Sequence, residues 1–219
     1  MKFSRDEIRR AMLLYAVTDR SWLREGESLS GVCREVLKGG ATFLQIREKD
    51  LDEASFEAEA RELKELCAEY RVPFVVNDSV EIALKIQADG VHVGQSDIKG
   101  HDIRAMIGPD RILGISAGTP EEAAAAEKAG ADYIGVGAVF GTSTKKDARN
   151  LSVDALREIR NSVSIPIVAI GGIQPSNLME LAGTGVDGVA VVSAIFAAER
   201  PGEAAENLRK LAEEMVRHG

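Results

Sequence analysis

Three short stretches of the 219-residue chain hold side chains able to do chemistry on a charged small molecule. "QIREK" carries Gln45, Arg47 and Lys49, "VVNDS" carries Asn77 and Asp78, and "HVGQSD" carries His92, Gln95 and Asp97. Arg47 and Lys49 are two residues apart, so on an extended segment they share a side. A guanidinium and an ammonium converging on one spot suit a di-anion such as a pyrophosphate. A solvated basic pair is the competing reading. Asp78 and Asp97 offer hard oxygen donors. Mg2+ commonly takes one or two carboxylates and completes its shell with water and substrate phosphate. The competing role for both is a helix N-cap, since Asp caps well.

A second group lies farther along. "GVGAVFGTSTKKDARN", residues 135–150, starts as a small apolar strand. It breaks at Gly141 into Thr142, Ser143, Thr144, Lys145 and Lys146, which together suit an anion. "IGGIQPSN" sets Gly171 and Gly172 where the backbone can approach a ligand, before a helix expected from the Ser176 segment. "VVSAI" sets Val192 and Ser193 at the start of another short helix. The GxxxxGK[ST] spacing of a Walker A loop is missing. No activated nucleophile is in view: Cys33 and Cys67 fall in helical patterns, and no Ser–His pairing stands out. His92 reads as a packed, hydrogen-bonded histidine rather than a base. Two anion sites and a metal suit the departure of pyrophosphate from one substrate and capture of what remains by a second, phosphorylated one.

These side chains need a scaffold. Four segments look alike: "GATFLQIRE" from Gly40, "QADGVHVGQ" from Gln87, "GADYIGVGA" from Gly130 and "GVDGVAVVS" from Gly185. Each is a short aliphatic strand after a helical stretch. Four more strands are expected at 13–19, 73–78, 111–116 and 166–172, with helices such as 53–70 and 120–130 between them. Continuous apolar strands alternating with helices mean a parallel sheet covered by helices. Eight such units in this length predict a single (β/α)8 TIM barrel over residues 1–219, with residues 1–10 an N-terminal extension helix. An open doubly wound sheet is the runner-up, weakened by the lack of GxGxxG after the first strand.

Parity then sorts the side chains. Leu44, Val91, Ile134 and Val189, with Ile46, Val93, Val136 and Val191, form uniformly aliphatic rows for the helices. Gln45, His92, Gly135 and Ala190, with Arg47, Gly94, Gly137 and Val192, form mixed rows that should face the barrel interior. In the other strands Val17, Val76, Ile115 and Ile170 are expected outside, and Thr18, Asn77, Ser116 and Gly171 inside. The polar residues gather at the C-terminal strand ends, the active-site face of this architecture.

Composition narrows the partners. A net charge of −8 argues against nucleic acid, whose backbone is held through cations. Two cysteines make neither a disulfide scaffold nor a zinc site and read as buried reduced thiols. No apolar run approaches the ~18 residues of a membrane span, and "MKFSRDEIRR" lacks a signal-peptide core. The expectation is a cytoplasmic enzyme of small molecules with no membrane partner. A homo-oligomer is compatible with the sequence.

"QIREK", "VVNDS", "GVHVGQSD", "GISA", "TSTK", "IGGI" and "VSAI" occur in order, each at a strand end, and nearly the whole chain resembles the thiamine-phosphate synthase family. The resemblance implies condensation of a pyrimidine methyl diphosphate with a thiazole phosphate, releasing pyrophosphate, by a dissociative Mg2+-assisted path. It implies that Gln45, Arg47, Lys49, Asn77, Ser116 and Lys145 serve the pyrimidine diphosphate, with Arg47, Lys49, Lys145 and Ser116 in the catalytic set. Asp78 and Asp97 would carry one Mg2+. Thr142, Ser143 and Thr144 would meet the thiazole phosphate, with Gly172, Val192 and Ser193 closing its phosphate site. The chain departs from the family pattern at Gly118, often His there, and at Ala138 and Gly141, often Pro; the Gly should loosen that loop. The alternatives are a thiazole tautomerase-like or regulatory relative, a Schiff-base aldolase using Lys49 or Lys145, and a non-catalytic phosphometabolite-binding protein.

Overall fold

The computed structural model describes residues 3–97, 101–141 and 151–218. Among them eight parallel strands close a barrel in chain order: β1 (Leu14–Val17), β2 (Phe43–Ile46), β3 (Phe74–Asn77), β4 (Gly90–Val93), β5 (Ile112–Ala117), β6 (Tyr133–Gly137), β7 (Ile167–Ile170) and β8 (Gly188–Val191). β8 pairs back onto β1, with Tyr15 opposite Ala190. The covering helices are α1 (Arg5–Ala11), α2 (Leu29–Lys38), α3 (Glu53–Tyr70), α4 (Val80–Lys85), α5 (Ile103–Ile107), α6 (Pro120–Lys128), α7 (Val153–Ser162), α8 (Ser193–Phe196) and α9 (Pro201–Arg217). The fold is the (β/α)8 barrel. The Ser176 segment leads not to an α-helix but to a single 3-10 turn, Leu178–Leu181. No helix of the described residues is long and apolar enough to cross a membrane.

Local chemistry starts the helices where the strands end. Ser28, Asp52, Ser79, Asp102, Thr119 and Ser152 each cap a helix N-terminus by accepting a backbone N–H in its first turn.

The fourfold repeat has a physical basis. Thr42, Asp89, Asp132 and Asp187 occupy the same place in the four similar segments, just ahead of β2, β4, β6 and β8. Each accepts the backbone N–H at the start of the preceding strand. Leu14 donates to Thr42 Oγ1 at 2.8 Å, Phe74 to Asp89 Oδ2 at 3.0 Å, Leu113 to Asp132 Oδ2 at 2.8 Å and Ile167 to Asp187 Oδ2 at 2.8 Å. Thr42, Asp132 and Asp187 donate their own N–H back to Leu14, Leu113 and Ile167, each at 2.8 Å. Strands are thereby stapled in pairs at the bottom of the barrel, where the N–H groups would otherwise be buried without a partner.

Pairing in that register fixes which side chains face inward. The aliphatic rows expected outside all lie in the cluster between barrel and helices. Cys33 and Cys67 lie in the same cluster as free, buried thiols, and burial pushes both well above the ordinary thiol range. The interior cluster holds Tyr15, Phe43, Val75 and Tyr133, sealed from below by Ile8, Ala11 and Met12 of and just after α1. Two expected outer residues, Val17 and Ile170, face inward instead. Within each strand they share parity with Tyr15 and Val168, both of which lie in the interior cluster. Thr18 lies beyond the end of β1, fully buried, and its Oγ1 accepts the Arg47 N–H at 3.0 Å. It does not line the mouth.

Asp132 tests the staple. It holds both the Leu113 N–H and Arg104, whose Nη2 donates to it at 2.7 Å. Asp132→Ala should cost about 3 kcal/mol, because a backbone donor loses its acceptor and a partly buried cation loses its carboxylate. Asp132→Asn, which keeps a carbonyl acceptor, should cost about half as much. Urea unfolding checks this, and equal losses would contradict the staple.

Candidate active site

The C-terminal strand ends open onto a cavity of about 650 Å3. Gln45 and Arg47 reach it from β2, Asn77 and Asp78 from β3, His92 and Asp97 from β4 and the turn after it, and Ser116 from β5. Gly172, Val192 and Ser193 line it from the β7 and β8 side. Lys49 does not line it and is exposed at the rim. Thr142, Ser143, Thr144 and Lys145 lie outside the described residues.

The "REK" step turns on a residue that pattern reading passed over. Glu48, between the two cations, points the opposite way and its side chain is only 2% exposed. Arg20 Nε donates to Glu48 Oε2 at 2.8 Å, and Arg20 Nη2 to Glu59 at 2.6 Å. Among the described residues Glu48 Oε1 has no hydrogen-bond partner. Burial pushes the Glu48 carboxyl up, Arg20 opposes this, and the nearby Glu59 carboxylate adds to it. No carboxylate of the described residues pairs with Arg47 or Lys49. Glu48 thus turns into the protein while Arg47 lines the cavity, and Lys49 stands exposed in the bend beyond β2, where strand alternation no longer holds it beside Arg47.

The carboxylates opposite are not helix caps. Ser79 caps α4 and Asp102 caps α5. Asp78 sits in the left-handed region at φ 61°, donates its N–H to His92 O at 2.8 Å, and accepts from Asn77 Nδ2 at 2.6 Å. Asp97 Oδ2 accepts the Gly94 N–H at 2.8 Å. The described residues hold no cluster of three or more Asp, Glu, His or Cys that would enclose a metal. Two carboxylates lining one open cavity fit Mg2+ in particular, which keeps water and phosphate in most of its shell.

The far side of the mouth is mostly backbone. Val139 and Phe140 donate to Ile170 O and Gly171 O at 3.0 and 3.1 Å, pulling the loop after β6 onto the end of β7. Gly172 has φ 66°, and a methyl group there would fall on the carbonyl oxygens of Phe140 and Gly141. Gly141 has φ 67°, a conformation closed to proline, so the loop runs differently from the proline pattern. Gly118 donates its N–H to Glu122 Oε2 at 2.7 Å, and a methyl there would make only an ordinary contact with that oxygen.

His92 is packed and hydrogen-bonded, 9% exposed, with Nε2 3.0 Å from Ser116 Oγ. Gln45, 5% exposed, donates from Nε2 to the Tyr15 hydroxyl at 2.6 Å. Both side chains at the mouth are thus tied to groups beneath it.

Fold and mouth together define a (β/α)8-barrel enzyme that works on small molecules. The sequence model described as thiamine monophosphate synthase matches residues 14–195. A thiamine-phosphate synthase of Methanobrevibacter smithii is 49% identical over 197 residues, 90% of this chain and 93% of that relative. One from Clostridium tetani is 46% identical over 195 residues, 89% and 93% of the two chains. The solved structure of a thiamine phosphate pyrophosphorylase from Pyrococcus furiosus superposes with a TM-score of 0.87 at 42% identity, covering 95% of this chain and 99% of that one. The chain belongs to the thiamine monophosphate synthase family, whose members are transferases.

Two substitutions test the site's construction. Between about pH 4.5 and the raised value of Glu48, the folded state holds a proton that the unfolded state releases, so stability falls as pH rises. Glu48→Gln removes this, so its stability relative to the parent should improve from pH 4 to 7; a flat difference would contradict the burial argument. Gly172→Ala should lose roughly 2 kcal/mol or more in thermal or urea unfolding, from the left-handed backbone and the clash together.

Proposed function

We propose that the mouth joins 4-amino-2-methyl-5-(diphosphooxymethyl)pyrimidine to a thiazole phosphate, giving thiamine phosphate and pyrophosphate. The carrying observation is the division of one cavity into a side of cations and carboxylates, Arg47 with Asp78 and Asp97, and a side of backbone at Gly172, Val192 and Ser193. That division suits two anionic substrates held face to face. Residues 1–219 serve as one domain, floored by α1. The partners are small molecules, in the cytoplasm, with neither nucleic acid nor membrane, and self-association into a homo-oligomer fits this reading.

Gln45, Asn77 and Ser116 hold the pyrimidine. The bond between its methylene carbon and the diphosphate oxygen breaks, and the electron pair leaves on that oxygen. Arg47, Lys49 and Lys145 meet the charge that grows there, which is where fixed cations lower a barrier most. Lys49 joins from the rim on its flexible stem. Asp78 and Asp97 would hold one Mg2+ per site, which when bound adds neutralising charge at the departing diphosphate. Thr142, Ser143 and Thr144 set the thiazole phosphate so that its ring nitrogen faces the methylene cation, while Gly172, Val192 and Ser193 bind its phosphate. The nitrogen lone pair forms the new C–N bond, and no proton moves. The path needs no protein nucleophile, in keeping with the burial of both cysteines.

Pyrophosphate release by the purified protein tests this, with pyrimidine diphosphate, thiazole phosphate and Mg2+ each omitted in turn. Release should need all three. Asp97→Ala should keep the fold and lose about 10²-fold or more in turnover. Release without the thiazole phosphate at the full rate, or none with all three, would overturn the proposal.

A further inference from the structure

A continuous line of hydrogen bonds crosses the barrel beneath the mouth. Gln45 Nε2 donates to Tyr15 OH at 2.6 Å, Tyr15 OH lies 2.7 Å from Tyr133 OH, Tyr133 OH 2.9 Å from His92 Nδ1, and His92 Nε2 3.0 Å from Ser116 Oγ. Five strands contribute one member each, β2, β1, β6, β4 and β5. Both tyrosines are buried, and burial pushes their hydroxyls far above the ordinary phenol range, so both stay protonated. Gly114 and Gly135 leave the room: a methyl at Gly114 would strike the Tyr133 hydroxyl and His92 Nδ1, and one at Gly135 would press on His92 Cε1 at 3.2 Å.

With the Gln45 amide as the donor to Tyr15, one polarity satisfies every member. Tyr15 oxygen accepts from the Gln45 amide, so its own proton goes to Tyr133; donation the other way would strand the Tyr15 proton in the interior. Tyr133 then donates to His92 Nδ1. That fixes the imidazole as the neutral Nε2–H tautomer, donating to Ser116 Oγ. The serine proton is left to point into the cavity. At the other end, with Nε2 engaged, Gln45 has its carbonyl oxygen to offer as an acceptor.

We propose that Tyr133 and His92 are positioning residues that hold Ser116 as a hydrogen-bond donor and Gln45 as an acceptor for the aminopyrimidine substrate. Tyr133 carries the argument best, because it does not line the cavity and reaches the substrate only through the line. The inference rests on the reading that Gln45 and Ser116 hold the pyrimidine.

A double-mutant cycle of Tyr133→Phe and Ser116→Ala tests it, read as kcat and KM for each substrate, with melting temperatures alongside. Tyr133→Phe should lower kcat/KM for the pyrimidine diphosphate about 10-fold, the scale of one buried hydrogen bond, and leave the thiazole phosphate KM unchanged. The double variant should be no worse than Ser116→Ala within about 2-fold, because both break one line. Effects that multiply would overturn the proposal and make Tyr133 a packing residue only. A neutral Ser116→Ala would overturn the pyrimidine-site reading and the positioning role with it. Should Tyr133→Phe fail to fold, the His92 tautomer in the parent protein decides. Nitrogen NMR of the parent protein reads the polarity directly: His92 should be protonated on Nε2, and protonation on Nδ1 would overturn the proposal.

Discussion

The barrel depends on a hydrogen bond made at its closed end. Each even strand is preceded by a Thr or Asp that takes a backbone N–H at the start of the odd strand before it. A parallel strand begins with a buried donor that its neighbour's backbone cannot reach, and a side-chain acceptor removes that cost locally. The bond also fixes register, and in a period-two element register decides which residues face inward. A slip of one residue in β2 would turn Gln45 and Arg47 toward the helices and Leu44 and Ile46 toward the mouth. The chemistry at the top is thus set by bonds at the bottom.

Above that layer, the mouth is assembled from parts that each constrain a neighbour. Glu48 is drawn inward by Arg20, while Arg47 beside it lines the cavity. Ser79 takes the capping duty of α4, and Asp78 lines the cavity. Gly171 and Gly172, both at positive φ, turn the chain tightly enough for the loop after β6 to lie against β7. The interior beneath is aromatic and polar at once, with the Tyr15 and Phe43 ring centroids 4.4 Å apart and their planes tilted by 44°, while the Tyr15 hydroxyl joins the line to Ser116. Rigid support from several strands is what holds two substrates at a fixed separation.

The even strands were legible because their sequences repeat, so rows could be aligned and the polar row recognised. Helix α3 was legible as a helical pattern over 53–70, the bounds it has in the structure. Val17 and Ile170 were misplaced because β1 and β7 end one residue before the polar Thr18 and the flexible Gly171, and chemistry at the end outweighed parity within the strand. Glu48 was invisible beside two cations, since only its partner Arg20, far off in sequence, reveals its direction. The line through Tyr133 and His92 joins five strands and carries no local signal. Gly114 and Gly135 were the trace it left, Gly135 read only as a small residue in a mixed row and Gly114 given no role. Ser116 and Asp97 were found, but that they reach one cavity is a fact of closure, not of spacing.

The central claim is that one mouth holds two anions on opposite sides, and a crystal structure with Mg2+, pyrophosphate and thiamine phosphate bound tests it most directly. The account predicts the diphosphate between Arg47 and the Asp78–Asp97 pair, and the phosphate of the thiamine product against Gly172 and Ser193. Both anions on one side, or the two exchanged, would contradict it.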